Sequence, residues 1–379
     1  MSADPRFDAL PTPCLLLDEA KLQANLDRLA GRARKLGVAL RPHLKTAKSV
    51  DVARRALAGG DGPATVSTLA EAEAFAAAGV RDIFYAVGIA PQKLDRVLAL
   101  RAGGCDLSVL LDSRAQAEAI AAAAARAGAP IPALIEIDSD GHRSGLAPGD
   151  TEIVEIGRIL HAAGSLRGVA AHAGESYMVA GEAAHAEFAE RERAAVVAAA
   201  EALRAAGLPC PVVSVGSTPT AHGAQDLSGV TELRAGVYMF QDLVMAGIGV
   251  CPPEAIAVSV LATVIGHQPA QGWVLIDAGW MAMSRDRGTA AQAVDQGYGL
   301  VCDEDGTILP DLIVIRANQE HGVVARRPGA EGPAPDLPLG ARLRILPNHA
   351  CATAAQHDRY HVLPAGGGDL IEWPRFGGW

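Results

Sequence analysis

Eight short apolar runs, each followed by an alanine-rich helical stretch, constrain this chain more than any other feature. The runs are VALRP (38–42), ATVST (64–68), DIFYAV (82–87), DLSVLL (106–111), PALIEID (132–138), LRGVAAH (166–172), PVVSV (211–215) and TELRA (231–235). Helical stretches between them include 69–78, 91–102, 113–128, 151–164 and 182–206. An amphipathic helix over about 19–36 precedes the series, after the run CLLLD (14–18). Runs apolar on both faces, each with a covering helix, are the pattern of buried parallel strands. Eight such units close into an α/β fold of the (β/α)8 TIM-like barrel type. The alternative is an open, doubly wound sheet.

The alternation stops near residue 250. Strands are expected beyond it at about 256–268, 272–277, 312–316, 321–326 and 341–346, without long helical patterns. We therefore read 1–250 as the barrel, with its N-terminal strand and helix, and 251–379 as a C-terminal, mostly β domain. The segment PGAEGPAPDLPLG (328–340) reads as a surface loop from its Pro and Gly content. A chain of 379 residues, half of them apolar, is long enough to bury two such cores. A net charge of −10 without a basic stripe argues against nucleic acid as a partner. No stretch approaches the ~20 apolar residues that span a bilayer, so no membrane is expected. The opening MSADPRFDALPTP lacks the basic-then-apolar pattern of a signal peptide. Six widely spaced cysteines form no disulfide framework, and a cytoplasmic enzyme is the expectation.

In such a barrel, chemistry gathers at the C-terminal ends of the strands. The first strand ends in RPHLKTAKS (41–49), the second in Ser67 and Thr68. The fifth ends in EIDSDGHRSG, with Asp138, His142 and Arg143, and the sixth in HAGESY, with His172, Ser176 and Tyr177. The seventh gives SVGSTPT (214–220) and the eighth is followed by RAGVYMFQD. Any one polar loop residue is ordinary; the whole set at one rim is less so, because the opposite loops offer nothing comparable. In SVGSTPT a glycine permits close backbone approach, and Ser217 and Thr218 add hydroxyl donors. A plain turn would look similar. Its place after the seventh strand is where barrels commonly hold a phosphate. A lysine amine with a phosphorylated aldehyde points to a Schiff base with pyridoxal 5'-phosphate, held by Lys45. Lys48, expected inside the following helix, is the competitor.

In the β domain, LRILPNHACATAAQHD places His349 and Cys351 two apart. On a strand or its exit, positions i and i+2 face the same way. An imidazole beside a thiolate favours Zn2+, although another divalent metal would fit the pair. An incidental pair is the plain alternative. His357 and His361 are read as surface histidines, and His321 of NQEHG as a turn residue or a group near the metal.

PTPCLLLD, RPHLKTAKS, EIDSDGHRSG, HAGESY, VSVGSTPT, RAGVYMFQD, LIDAGWMAMSRD, NQEHG and PNHACAT run through nearly the whole chain. Together they resemble the pyridoxal-phosphate enzymes of the alanine-racemase fold (fold type III). Within these, the chain is similar to the group of D-serine dehydratase, D-threo-3-hydroxyaspartate dehydratase and D-threonine aldolase. The resemblance implies that Lys45 forms the internal aldimine and that Arg143 lies near the phenolic oxygen of the ring. It implies that His172 and Tyr177 line the cofactor pocket. Gly216, Ser217 and Thr218 would form the phosphate loop with Tyr238 beside it, and His349 and Cys351 the zinc pair. The aldolases carry His-x-Asp at the metal position and a GGGTGS-like loop; this chain has His-x-Cys and VGSTPT, both toward the dehydratases.

The function implied is a lyase that dehydrates a D-3-hydroxy amino acid, D-serine or D-threo-3-hydroxyaspartate, to a 2-oxo acid and ammonia. The freed Lys45 amine would take the α-proton, and zinc would make the β-hydroxyl a better leaving group. Retro-aldol cleavage to glycine and an aldehyde is the alternative. A racemase would need a second base, for which only Tyr298 and Tyr360 are at hand in the β domain, and a non-catalytic cofactor carrier would not need that domain. For a second substrate carboxylate, Arg41, His142 and Arg285 are the candidate cations. A homodimer is implied by the resemblance alone.

Overall fold

The computed structural model describes residues 5–332 and 336–379. Residues 1–4 of the stretch read as lacking a signal pattern, and 333–335 of the expected loop, lie outside them. The chain divides into two compact units. One comprises Leu26–Tyr238 with Phe376–Trp379, the other the residues up to Asn25 with Met239–Arg375.

Strand β1 (Cys14–Asp18) belongs to the second unit. The first contains β2 (Ala39–Pro42), β3 (Ala64–Val66), β4 (Asp82–Gly88), β5 (Asp106–Leu111), β6 (Ala133–Ile137), β7 (Leu166–Ala171), β8 (Val212–Val215) and β9 (Glu232–Ala235). Each falls on one of the eight apolar runs. Their order is β2-β9-β8-β7-β6-β5-β4-β3, every ladder parallel. A parallel bridge between His43 and Thr65 joins the two ends. The sheet therefore closes into a barrel, not an open doubly wound sheet. Local chemistry sets the covering helices: Ser113 accepts from Gln116 N to cap Arg114–Ala127, and Gly128 ends it at φ 62°.

One face of this sheet carries a buried ionic network. Arg41 donates to Glu232 at 2.8 Å and, through both terminal nitrogens, to Asp82 at 2.7 and 3.1 Å. Ser214 Oγ donates to Glu232 at 2.6 Å, while Arg234 reaches Ser214 and the Ala171 carbonyl. Charges that leave water must be paired in this way. Arg41 is thus committed inside the barrel.

The second unit adds β10 (Val258–Gln268), β11 (Trp273–Ile276), β12 (Leu300–Cys302), β13 (Ile308–Ala317), β14 (Gly322–Arg326), β15 (Arg342–Leu346), β16 (Arg359–Leu363) and β17 (Ile371–Pro374). The sheet order is β11-β14-β13-β12-β15-β10-β1-β16-β17, and β10 also pairs with β11. That last pairing closes six antiparallel strands into a second barrel. A bulge between Val264 and Gly266 lets the 11-residue β10 hold β1 and β15 with its first half and β11 with its second.

The placement of β1 corrects the expected partition at residue 250. CLLLD pairs antiparallel with β10 and parallel with β16, not with the parallel barrel. Its uniformly apolar pattern marks a buried strand but not which sheet takes it. Among the described residues beyond 250, the helices of this unit are short, as expected. None of the six cysteines forms a disulfide. Among the described residues no helix is long and apolar enough to cross a membrane.

Candidate active site

The chain leaving β2 turns at once into a single 3-10 turn, Leu44–Thr46. Leu44 and Thr46 are fully buried, which leaves Lys45 between them exposed. Its amine makes no hydrogen bond or ion pair among the described residues. Lys48 differs. It lies outside the helix it was expected to join, at φ 46°, because that helix begins only at Val50, with Ser49 in the extended N-cap position. Its Nζ lies 3.3 Å from Glu71 Oε1, a buried carboxylate that also accepts from Ser67 N and Thr68 Oγ1. Of the two amines, only that of Lys45 is unengaged.

Two imidazoles border Lys45. His43 Nε2 lies 3.3 Å from Ser67 Oγ, while Nδ1 is buried without a partner. Burial, and then the charges of Lys45 and Arg234, hold its pKa well below the ordinary value. His172, past the end of β7, donates from Nδ1 to the Gly216 carbonyl at 2.8 Å. Burial and Arg143 push it down to about 3. Both rings are neutral at physiological pH, and His172 keeps its lone pair on Nε2. Arg143, on the loop after β6, is half exposed and 4.0 Å from Glu136. His142 donates to Glu175 at 2.7 Å.

The loop after β8 is built by groups far away in sequence. Gly216 has φ 141°, and a Cβ there would lie 1.8 Å from the Arg234 carbonyl oxygen. The close approach that demands glycine is thus to β9. Gly216 N donates to Glu192 at 2.9 Å, and Glu192 also accepts from Ala173 N and Thr220 Oγ1. Ser217 caps the helix Thr218–Gly223 in a capping box with Thr220, and its hydroxyl also meets Ser176 Oγ at 2.8 Å. Tyr177 accepts from Thr218 N at 3.2 Å, and its ring lies 6.3 Å from that of His172. What remains unengaged is Thr218 Oγ1 and, following the neighbouring strand β9, the Tyr238 hydroxyl. Both are buried without a partner, and burial raises the Tyr238 phenol above its usual range. Buried hydroxyls are rarely left so. Two unpartnered donors at adjacent strand ends, beside a free lysine, suit a phosphorylated aldehyde.

Glu192 escaped the sequence reading. Its only signal is position: it falls on the buried stripe Ala189, Val196, Ala199 and Leu203 of the helix Glu182–Ala205, where a carboxylate needs a reason.

In the β unit, β15 ends at Leu346, and His349 and Cys351 do not share a strand. His349 is the N-cap of the short helix Ala350–Ala354, and Cys351 lies inside it. The side chains still meet in a hydrogen bond. His349 Nδ1 donates to Asp286 at 2.6 Å. Burial disfavours the charged ring, but the bonds to Asp286 and Cys351 outweigh it and push the pKa up to about 11. Asp242 accepts from Ala350 N at 3.0 Å and so fixes the start of this helix. An imidazole and a thiol in contact are a borderline-to-soft donor pair that suits a divalent metal. No cluster of three or more such ligands exists among the described residues.

His357 and His361 are not surface residues as expected. His357 Nε2 donates to the Ala282 carbonyl at 2.9 Å, and His361, within β16, is buried and 3.6 Å from Glu372. His321 is an exposed residue whose carbonyl closes the β13–β14 turn onto Asn318 N. Tyr360 is buried and accepts from Arg375 Nε.

Residues 17–243 match the family described as alanine racemase, N-terminal domain, and 257–363 that described as putative serine dehydratase domain. The chain is 56% identical to D-threo-3-hydroxyaspartate dehydratase of Delftia sp. (strain HT23), over 98% of both chains. It is 32% identical to a D-threonine aldolase of Arthrobacter sp, over 94% of this chain and 89% of the other. A solved structure of a D-threo-3-hydroxyaspartate dehydratase mutant, with a cysteine changed to alanine and in the metal-free form, aligns with a TM-score of 0.95. It is 56% identical and covers 98% of this chain and 99% of that one.

Proposed function

Because this chain belongs to the family of the alanine racemase N-terminal domain and continues into a serine dehydratase domain, we propose that it is a pyridoxal-phosphate-dependent lyase. Its substrate is a D-3-hydroxy amino acid, D-threo-3-hydroxyaspartate before D-serine, and its products are a 2-oxo acid and ammonia. The observation that carries this reading is the Lys45 amine, unengaged at the barrel mouth, while Lys48 is held by Glu71.

When bound, the cofactor supplies an electron sink for negative charge at the substrate α-carbon, and the metal a Lewis acid for the β-hydroxyl. The remaining tasks fall to this chain. The Thr218 and Tyr238 hydroxyls would hold the cofactor's phosphate, on a loop shaped by Gly216, Ser217 and Glu192. Neutral His172 and Tyr177 would line the pocket for its ring, and Arg143 would supply positive charge there. Lys45 Nζ takes the α-proton. His349 and Cys351 hold the metal, for which zinc is our assignment by donor type. Water leaves from the β-carbon, and the released enamine hydrolyses to the 2-oxo acid and ammonia.

For the second carboxylate of 3-hydroxyaspartate, Arg285 is the favoured cation. Arg41 is held by Asp82 and Glu232, and His142 by Glu175. Arg285 lies over the Trp280 ring, 4.9 Å from its centroid, with no carboxylate partner among the described residues. We also propose a homodimer, which sedimentation would test.

The decisive experiment incubates protein loaded with cofactor and Zn2+ with a panel of D-3-hydroxy amino acids and identifies the products. A 2-oxo acid with stoichiometric ammonia is expected. Glycine with an aldehyde, and no ammonia, would replace this reading by the aldolase.

A further inference from the structure

We propose that Asp286 is a positioning residue for the metal pair: its carboxylate fixes the tautomer and ring orientation of His349, keeping Nε2 aimed beside Cys351. The inference rests on the assignment of His349 and Cys351 as ligands. His349 Nδ1 donates to Asp286 at 2.6 Å. A metal binds only once it displaces the proton on Nε2; the ring that remains, donating from Nδ1 to Asp286, then carries its lone pair on Nε2. A carboxylate on the far nitrogen both locks the ring and strengthens it as a donor.

Asp286 is itself held for this task. Its backbone N donates to Ser284 Oγ at 2.9 Å. Ser284 sits at φ 73°, and its own N donates to the Trp280 carbonyl at 2.8 Å, closing the helix Trp280–Met283. A non-glycine residue holds that conformation only where its surroundings enforce it. Neighbouring Arg287 does not compete for the carboxylate, because Asp295 binds it at 2.6 Å. The other nearby acid, Asp242, is taken by two backbone donors, Met245 N at 2.9 Å and Ala350 N at 3.0 Å. The two carboxylates divide the work: Asp242 places the short helix that carries Cys351, and Asp286 places the ring of His349.

The test uses the full chain, stripped of metal and titrated with Zn2+ against a chromophoric chelator. Asp286→Ala is expected to weaken Zn2+ binding about 10- to 100-fold. Asp286→Asn, which keeps an acceptor but no charge, is expected to fall between it and the parent, and stays readable should the alanine variant fold poorly. Borohydride labelling at Lys45 is expected to be unchanged in both. Zn2+ binding at parental affinity in both variants, while His349→Ala loses it, would overturn the role of Asp286 alone. So would variants that lose only thermal stability without metal. If His349→Ala and Cys351→Ala also bind Zn2+ as the parent does, the ligand assignment fails first, and this inference with it.

Discussion

At position 45 the amine has no partner among the described residues, whereas the one three residues later is held by Glu71. Lys45→Ala is expected to abolish the borohydride-stable pyridoxyl label, read by peptide mapping, whereas Lys48→Ala is expected to keep it. Label remaining in the Lys45 variant would sink the assignment. Arg285→Gln is expected to lower kcat/KM for D-threo-3-hydroxyaspartate about 10- to 100-fold, the worth of one charged hydrogen bond. D-Serine has no second carboxylate, so its kcat/KM is expected to stay the same; equal losses on both substrates would refute the role. Gly216→Ala forces a methyl to within 1.8 Å of a carbonyl at φ 141°. Overpacking and backbone strain together are expected to cost about 3 kcal/mol or more, measured by urea unfolding. The polar residues at strand ends were legible because their runs name the strands. That Ser217 is engaged by Ser176, 41 positions away, was not, because no local pattern encodes such a partner.

Among the elements, the eight barrel strands follow from short-range pattern, whereas the 3-10 turn that places Lys48 outside the next helix does not. The strands Leu300–Cys302, Arg359–Leu363 and Ile371–Pro374 do not: they are short or mixed in polarity, and their neighbours in the sheet define them. The pair proposed to hold the metal teaches the same point. Positions i and i+2 face the same way only in extended chain, whereas here the start of a short helix brings His349 and Cys351 together. The tail Phe376–Trp379 belongs to the barrel unit. Phe376 N donates to the Lys48 carbonyl at 2.9 Å, and its ring meets Phe75 edge-on at 5.1 Å. Deleting 376–379 is expected to cost about 2 kcal/mol, the sum of one hydrogen bond and one aromatic pair. It is also expected to speed amide exchange over 46–49, the segment that follows Lys45. Unchanged exchange there would show that the tail does not brace it.

For the whole molecule, acid sensitivity follows from histidines folded in the neutral form. Burial, then Arg28 and Arg32, push His222 down to about 3, and His172 is pushed equally far. Between that value and the ordinary 6.5 the unfolded chain binds more protons. The stability these rings contribute is therefore present above about pH 6.5 and lost as pH falls toward 3. Burial raises Glu192 and Glu136, which act in the opposite sense, losing their contribution as pH rises above the ordinary carboxylate range. The urea midpoint is expected to drop between pH 7 and pH 5, and His222→Leu is expected to drop less. An equal drop in that variant would remove His222 from the account.

The sequence by itself determined the barrel, the β domain and the strand end on which the proposed lysine sits, because periodicity and strand ends are local properties that short segments carry. The partners were decided only by the tertiary structure. It gave β1 to the antiparallel sheet, Arg41 to Asp82 and Glu232, Lys48 to Glu71, and His349 to Asp286. Each choice is between groups remote in the chain, and pairing a buried charge or a strand edge depends on what the fold brings beside it, which residue order alone does not express.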